Sequence, residues 1–175
     1  LAAVIQHENN NYDIDSFKDL TSAVVVLTPK EAKIKQSHAS VRVIADHIRM
    51  LSFSIADGGL PGNDGRGYVL RRILRRAARF GRNLHQNEPF IYKLVKILSA
   101  QFSTAFPEIK GQIEIIENVI EAEESSFLRT LEKGILKLNE IILTSSNKIV
   151  SGSDAFELYD TFGFPIDLTA LILRE

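Results

Sequence analysis

The sequence predicts an all-α fold, a helical bundle preceded by a short N-terminal stub. Apolar residues recur at steps of three and four over most of the chain, which is the pattern of an α-helix with one buried face. The run at 23–27 is the one segment that also suggests a strand, and an isolated strand lacks the partners that it needs.

Capping residues and helix-breaking residues set the predicted boundaries of the helices. They are expected over 37–56, 68–80, 89–106 and 108–143, the last bent or broken, followed by a short helix ending near Asp160 and one starting at Ile166. Ser37 or the capping box at residues 28–31 starts the first of these helices. Gly81 is expected to close the second, and Ser153 to cap the short helix.

Composition limits the class of protein. A chain of 175 residues is long enough for one hydrophobic core. The absence of cysteine excludes disulfides and thiol nucleophiles and fits a reducing cytosol. No apolar run approaches the roughly 20 residues of a membrane span. The four histidines lack the i, i+4 spacing of a metal site, and His47 beside Asp46 is expected to form a structural hydrogen bond.

The most distinctive feature is an arginine face on the helix at 68–80. Its apolar residues fall within one arc, and the opposite arc holds Arg71, Arg72, Arg75, Arg76, Arg79 and Arg82. The guanidinium group suits phosphate oxygens, so this face predicts contact with RNA or another phosphate compound. The alternative is a solvated face paired with glutamates of the long helix, which include Glu114, Glu117, Glu121, Glu123 and Glu124. We expect the arginines nearest the preceding loop to contact phosphate and others to pair with glutamates.

The loop before this helix is rich in glycine, at residues 58–67. It matches neither a Walker A loop nor a dinucleotide fingerprint. Asn63 and Asp64 are either turn formers or, for Asn63, an amide presented to a base edge. Asp160 has two structural interpretations and one functional interpretation. It starts a turn with Thr161, it accepts a backbone N–H, or its carboxylate faces a ligand.

Several of these segments together resemble a known family. Residues 43–81, 123–134 and 151–169 resemble, in order, segments of the middle domain of the alanyl-tRNA synthetases, and residues 1–17 resemble the continuation of class II motif 3. The family often has Ser-Asn-Glu where this chain has Gly62-Asn63-Asp64, which keeps the asparagine. The resemblance implies residues 1–36 as a remnant of the catalytic domain and 37–175 as a helical tRNA-recognition domain.

The same resemblance implies what the chain lacks. The Gly-x-Gly-x-Glu-Arg part of motif 3, motifs 1 and 2, and the metal-binding editing domain are absent from these residues. We therefore expect no catalytic residue and no cofactor here, with ATP, Mg²⁺ and zinc belonging to other parts of an ATP-dependent ligase. The fragment alone is expected to charge no tRNA. Its expected partners are tRNA(Ala) and the catalytic and editing domains of the same parent chain, in the cytoplasm and not at a membrane.

In the family, the recognised feature is a G·U wobble pair in the tRNA acceptor stem, and the resemblance places this reading on Asn63 and Asp160. A wobble pair leaves the guanine amine in the wide RNA minor groove without its usual acceptor. The residues expected to contact tRNA are Asn63, Asp160, Asp64, Arg66, Arg71, Arg72, Arg75 and Arg76. The rival interpretations are a stand-alone helical RNA-binding module and a protein-interaction bundle whose arginine face meets an acidic partner.

Overall fold

The computed structural model describes residues 1–29, 38–145, 149–162 and 164–174. Within these ranges the regular structure is helical, which confirms the predicted all-α class. The α-helices are α1 (Ala2–Ile5), α2 (Asp15–Leu27), α3 (His38–Ala56), α4 (Gly65–Asn83), α5 (Val95–Phe102), α6 (Pro107–Gly111), α7 (Ile113–Thr144), α8 (Gly152–Asp160) and α9 (Ile166–Ile172).

The chain divides into two compact units, Leu1–Ser125 and Ser126–Glu175. This division differs from the one at residues 36 and 37 that the resemblance implies. The latter concerns the domains of the family and stays a prediction. Ser37 and half of the capping box at 28–31, the two predicted helix starts, lie outside the described residues.

Helix α3 lies at the centre of the first unit, where it packs against α4 and α2. Its predicted apolar stripe is confirmed. The stripe residues are all buried: Val41, Ile44, Ile48, Leu51 and Ile55. Removal of these side chains from water is the main source of stability for the α3–α4 pair, and it fixes which face of α4 remains available to solvent.

The strand considered for 23–27 is wrong, because these residues form the last turns of α2. Three successive valines favour a strand locally, but the spacing of four between Leu20 and Val24 puts both on one helix face. Both side chains are fully buried in the first unit, whereas Val26 is exposed. Burial of a helical stripe therefore outweighs the local preference of the valines.

Helix α4 begins at Gly65, three residues before the predicted start, and continues through Gly81 to Asn83. Gly81 is thus an interior residue and not the cap that the sequence predicted. A Cβ at this position would lie 2.6 Å from the ring of Phe90, so the glycine permits close packing.

Three further boundaries differ from the prediction. The helix expected over 89–106 is a short 3-10 helix at Ile91–Leu94 followed by α5. The long helix expected from residue 108 is broken, as anticipated, into α6 and α7. Helix α8 is capped by Ser151 and not by Ser153, because the Ser151 side chain and the Asp154 carboxylate form a reciprocal capping box.

In the second unit, Phe164 is fully buried and its ring lies on Gly134 of α7. A Cβ at Gly134 would overlap this ring. Helix α7 can therefore carry only glycine at this point if Phe164 keeps its place.

We expect Gly134→Ala to destabilise the second unit. Overpacking of a buried contact costs about 1–3 kcal/mol, which exceeds the roughly 0.5–1 kcal/mol that alanine gains over glycine within a helix. Gly111→Ala is the control, since a Cβ at that position meets open space. Urea unfolding followed by circular dichroism measures both. Equal stability of the two variants would contradict the contact with Phe164.

Candidate nucleic-acid interface

The loop between α3 and α4 folds back onto the first turn of α4. The Gly62 N–H donates to the Gly67 carbonyl at 2.9 Å. A Cβ on Gly67 would lie 2.7 Å from the Leu60 carbonyl oxygen, so this approach requires glycine. The folded loop exposes Asn63 and Asp64 just before α4.

Asp64 is the N-cap residue of α4, yet its side chain makes no capping hydrogen bond. Its carbonyl instead accepts from the Tyr68 N–H at 2.9 Å. The Asp64 carboxylate and the Arg66 side chain are both exposed. These two predicted site residues therefore lie beside Asn63 at the N-terminal end of the arginine helix.

Glu123 of α7 lies between two arginines of α4. Its Oε1 atom is 3.1 Å from Nε of Arg71 and 3.0 Å from Nε of Arg75, and only 11% of its side chain is exposed. Arg71 also donates from Nη1 to Oδ1 of Asn63. A continuous set of polar contacts thus connects the buried side of the arginine face to the loop.

These contacts limit what Asn63 can present to a ligand. Its carbonyl oxygen has two lone pairs, and Arg71 occupies one of them. The second lone pair and the amide NH₂ group are left for other partners. Arg71 therefore sets the orientation of the Asn63 side chain without consuming all of its hydrogen-bonding capacity.

The pairing with Glu123 concerns one expectation from the sequence, which stays a prediction. Arg71 belongs to the arginines nearest the loop, which were expected to contact phosphate, but its charge is engaged by a glutamate. The reason is the rotation of α4, which turns Arg71 and Arg75 towards α7 while Arg72 and Arg76 are exposed. The arginine face thus has a paired edge and a solvent-facing edge.

The arginine face also makes contacts near the C-terminal end of α4. Arg82 donates to Oδ1 of Asn87 beyond the end of α4. The guanidinium group of Arg76 lies 5.9 Å from the centre of the Phe80 ring, within the range of a cation–π contact. Neither contact adds a carboxylate to the solvent-facing edge.

The glutamates proposed as partners take different roles. Glu123 pairs with the arginine face, whereas Glu117 pairs with Lys96 at 3.5 Å. Glu124 is buried, and its Oε2 atom accepts hydrogen bonds from the N–H groups of Phe90 and Ile91 at 3.2 and 3.0 Å. Glu124 therefore holds the start of the 3-10 helix.

Asp160 is the last residue of α8, in the second unit, and it is exposed. Among the residues that the structure describes, its carboxylate receives no hydrogen bond and forms no ion pair, so no backbone N–H is found for it there. Thr161 and Phe162 form a turn directly after it, which agrees with the first structural interpretation. The neighbouring residues Phe156 and Tyr159 are also exposed. A carboxylate in this setting is available to a donor from outside the unit.

Comparison with known proteins identifies the family. Residues 1–175 match the family described as tRNA synthetases class II (A). This chain belongs to that family. Its curated relatives include proteins named alanine–tRNA ligase from Christiangramia forsetii, with 54% identity over 177 residues, and from Ruthia magnifica, with 50% identity over 175 residues. A third, from Bacteroides fragilis, is 51% identical over 180 residues.

These alignments include the whole of this class II synthetase chain, but they cover 20 or 21% of each relative. The chain therefore spans about one fifth of the length of the curated relatives that it matches. The resemblance inferred from the segments at 43–81, 123–134 and 151–169 is confirmed.

Neither a membrane span nor a metal cluster is found in the described part of the synthetase chain. None of the helices in those ranges is long and apolar enough to cross a membrane. Among the same residues, no group of three or more His, Asp or Glu side chains is arranged to hold a metal ion. Nδ1 of His47 lies 3.4 Å from Asp46, and burial lowers the pKa of His47.

Glu124 adds a pH dependence to this synthetase chain. Burial raises the pKa of its carboxyl group to about 8, while the two backbone N–H groups act in the opposite direction. The folded protein thus holds this proton more tightly than the unfolded chain. Stability from this group is fully present below its ordinary pKa of 4.5 and is lost as the pH rises through about 8.

We therefore expect the free energy of unfolding of Glu124→Gln to change less than that of the parent between about pH 5 and about pH 8. Glutamine keeps an oxygen for the N–H groups of Phe90 and Ile91 but carries no titrating proton. Urea unfolding across this range measures the effect. Both proteins share every other titrating group, including His47, so parallel pH profiles would contradict the assignment.

Proposed function

We propose that this chain is the tRNA-recognising part of an alanine–tRNA ligase and that it binds the acceptor stem of tRNA(Ala). The observation that carries the proposal is the arginine face of α4, with its solvent-facing edge beside the Asn63 loop. The names of the relatives support tRNA as the ligand. On this proposal the ligase acts in the cytoplasm and uses ATP and Mg²⁺, with zinc in a separate editing domain.

Contacts with the RNA backbone fall to the exposed arginines. Arg66, Arg72 and Arg76 are exposed, and arginine forms strong bidentate contacts with phosphate. Such contacts give affinity and set the position of the RNA but carry no sequence information. Arg71 and Arg75, which Glu123 partly neutralises, contribute less to the attraction of phosphate.

Base recognition falls to Asn63 and Asp160. The guanine amine of a G·U pair needs an acceptor, and an amide oxygen and a carboxylate are both suitable. A carboxylate near RNA is electrostatically unfavourable unless it accepts from a donor. The exposed Asp160, without a donor from the described residues, fits this requirement. Asn63 retains one lone pair because Arg71 occupies the other.

The test uses a full-length ligase that carries this sequence, with tRNA(Ala) containing either G·U or G·C at the recognised position. Asn63→Ala and Asp160→Ala should each reduce the preference for G·U by about 1–3 kcal/mol, since each removes one base contact. Asp160→Asn should keep part of the preference, because its amide oxygen still accepts a hydrogen bond.

Asn87→Ala is the matched control. Asn87 also accepts a hydrogen bond from an arginine of α4, but from Arg82 at the opposite end of the helix. It should leave the preference for G·U unchanged. If Asn63→Ala and Asp160→Ala behave like this control, the base-reading role is wrong. If the ligase binds tRNA with no dependence on salt, the arginine face serves another partner, such as an acidic protein.

A further inference from the structure

A second basic surface lies in the second unit, away from the arginine helix in sequence. Four residues of α7 occupy one helix face at spacings of three and four: Ser126, Arg129, Thr130 and Lys133. Together with Thr161 and Phe162, which follow α8, they line an open groove of about 390 Å³. We refer to it as the α7 groove.

The two cations of the α7 groove lack carboxylate partners among the described residues. Arg129 and Lys133 are both exposed, and neither forms an ion pair there. They lie one helical turn apart, so their like charges repel each other and destabilise the helix. Lys137, on the next turn, is paired with Glu140 at 3.5 Å and Glu157 at 4.0 Å.

Hydroxyl groups complete the lining of the groove. Thr130 donates its hydroxyl proton to the Ser126 carbonyl, so it faces a ligand only as an acceptor. The hydroxyl groups of Ser126 and Thr161 donate to no acceptor within the described ranges. Two cations with two hydroxyl donors form the set of groups that binds a phosphate oxygen by charge and by hydrogen bonds.

A negatively charged residue, Asp160, lies next to these cations and hydroxyl groups. Asp160 directly precedes Thr161, and α8 ends there with its partly negative C-terminus. A free small anion gains nothing from a neighbouring carboxylate. A polynucleotide carries both phosphates and base amines, and it satisfies both kinds of group at once.

We propose that the α7 groove binds a backbone phosphate of the tRNA. This contact holds in place the strand whose base amine donates a hydrogen bond to Asp160. This inference rests on the proposed function for its RNA partner. Phosphate binding at Arg129 and Lys133 supplies affinity, whereas Asp160 supplies selectivity. The two kinds of contact are therefore separable by mutation.

The test compares Arg129→Gln/Lys133→Gln with Lys137→Gln in the full-length ligase. The dependence of tRNA binding on salt should weaken by about one unit of log–log slope for each cation that no longer binds phosphate. The double variant should therefore have a slope weaker by about two units and keep its preference for G·U over G·C. Lys137→Gln should keep the parental slope, because its charge already has carboxylate partners.

A slope of the double variant equal to that of Lys137→Gln overturns the proposal. A second arm adds inorganic phosphate at constant ionic strength. If phosphate competes with the tRNA backbone for the groove, it weakens tRNA binding by the parent but not by the double variant, and equal weakening of both proteins contradicts the proposal. If the double variant has the weaker slope while Asp160→Ala keeps the preference for G·U, the groove stands and only the base-reading role fails.

Discussion

The contact between Glu123 and the arginine pair Arg71 and Arg75 is the constraint on which the rest of the interface depends. Six arginines on one face of α4 repel each other, and one nearly buried carboxylate offsets this repulsion along the edge that faces α7. Such a pair contributes through its geometry more than through its net energy, since desolvation offsets much of its attraction. Its structural effect is to fix the rotation of α4 and, through Arg71, the orientation of Asn63.

The same contact divides the arginine face into residues that position the loop and residues that are exposed to solvent. Arg71, which pairs with Glu123, contacts the loop at Asn63, whereas Arg66, Arg72 and Arg76 are exposed to solvent. The second unit has a similar division along α7, where Lys137 is paired while Arg129 and Lys133 form no ion pair with the residues that the structure describes. On the proposed function, sequence-independent attraction and base selectivity therefore belong to different side chains, which is the usual division in nucleic-acid recognition.

Much of the fold could be predicted, because the apolar stripe of α3 and the arginine face of α4 each follow from helical spacing alone. The role of Glu123 could not be predicted, because five glutamates lie in the first part of α7, between Glu114 and Glu124, and their roles depend on how two helices are rotated against each other. Adjacent residues differ by about 100° on a helix, so Glu123 meets arginines while Glu124 turns into the core. Ser151 was predictable, since Asp154 lies three residues further and completes a capping box. The glycine-rich loop already offered Asn63 as an amide for a base edge, whereas Asp160 came from the family resemblance, and spacing alone gives no reason to choose it.

The most direct test of the central claim is Glu123→Gln in the full-length ligase, measured as tRNA binding against salt for G·U and G·C tRNA. Removal of the carboxylate charge frees Arg71 and Arg75, so the log–log salt slope should steepen, by up to about one unit for each freed arginine. Asn63 loses its fixed orientation at the same time, so the preference for G·U should fall towards that of Asn63→Ala. A steeper slope with a weaker preference is the result that this account predicts. An unchanged slope together with an unchanged preference would contradict it.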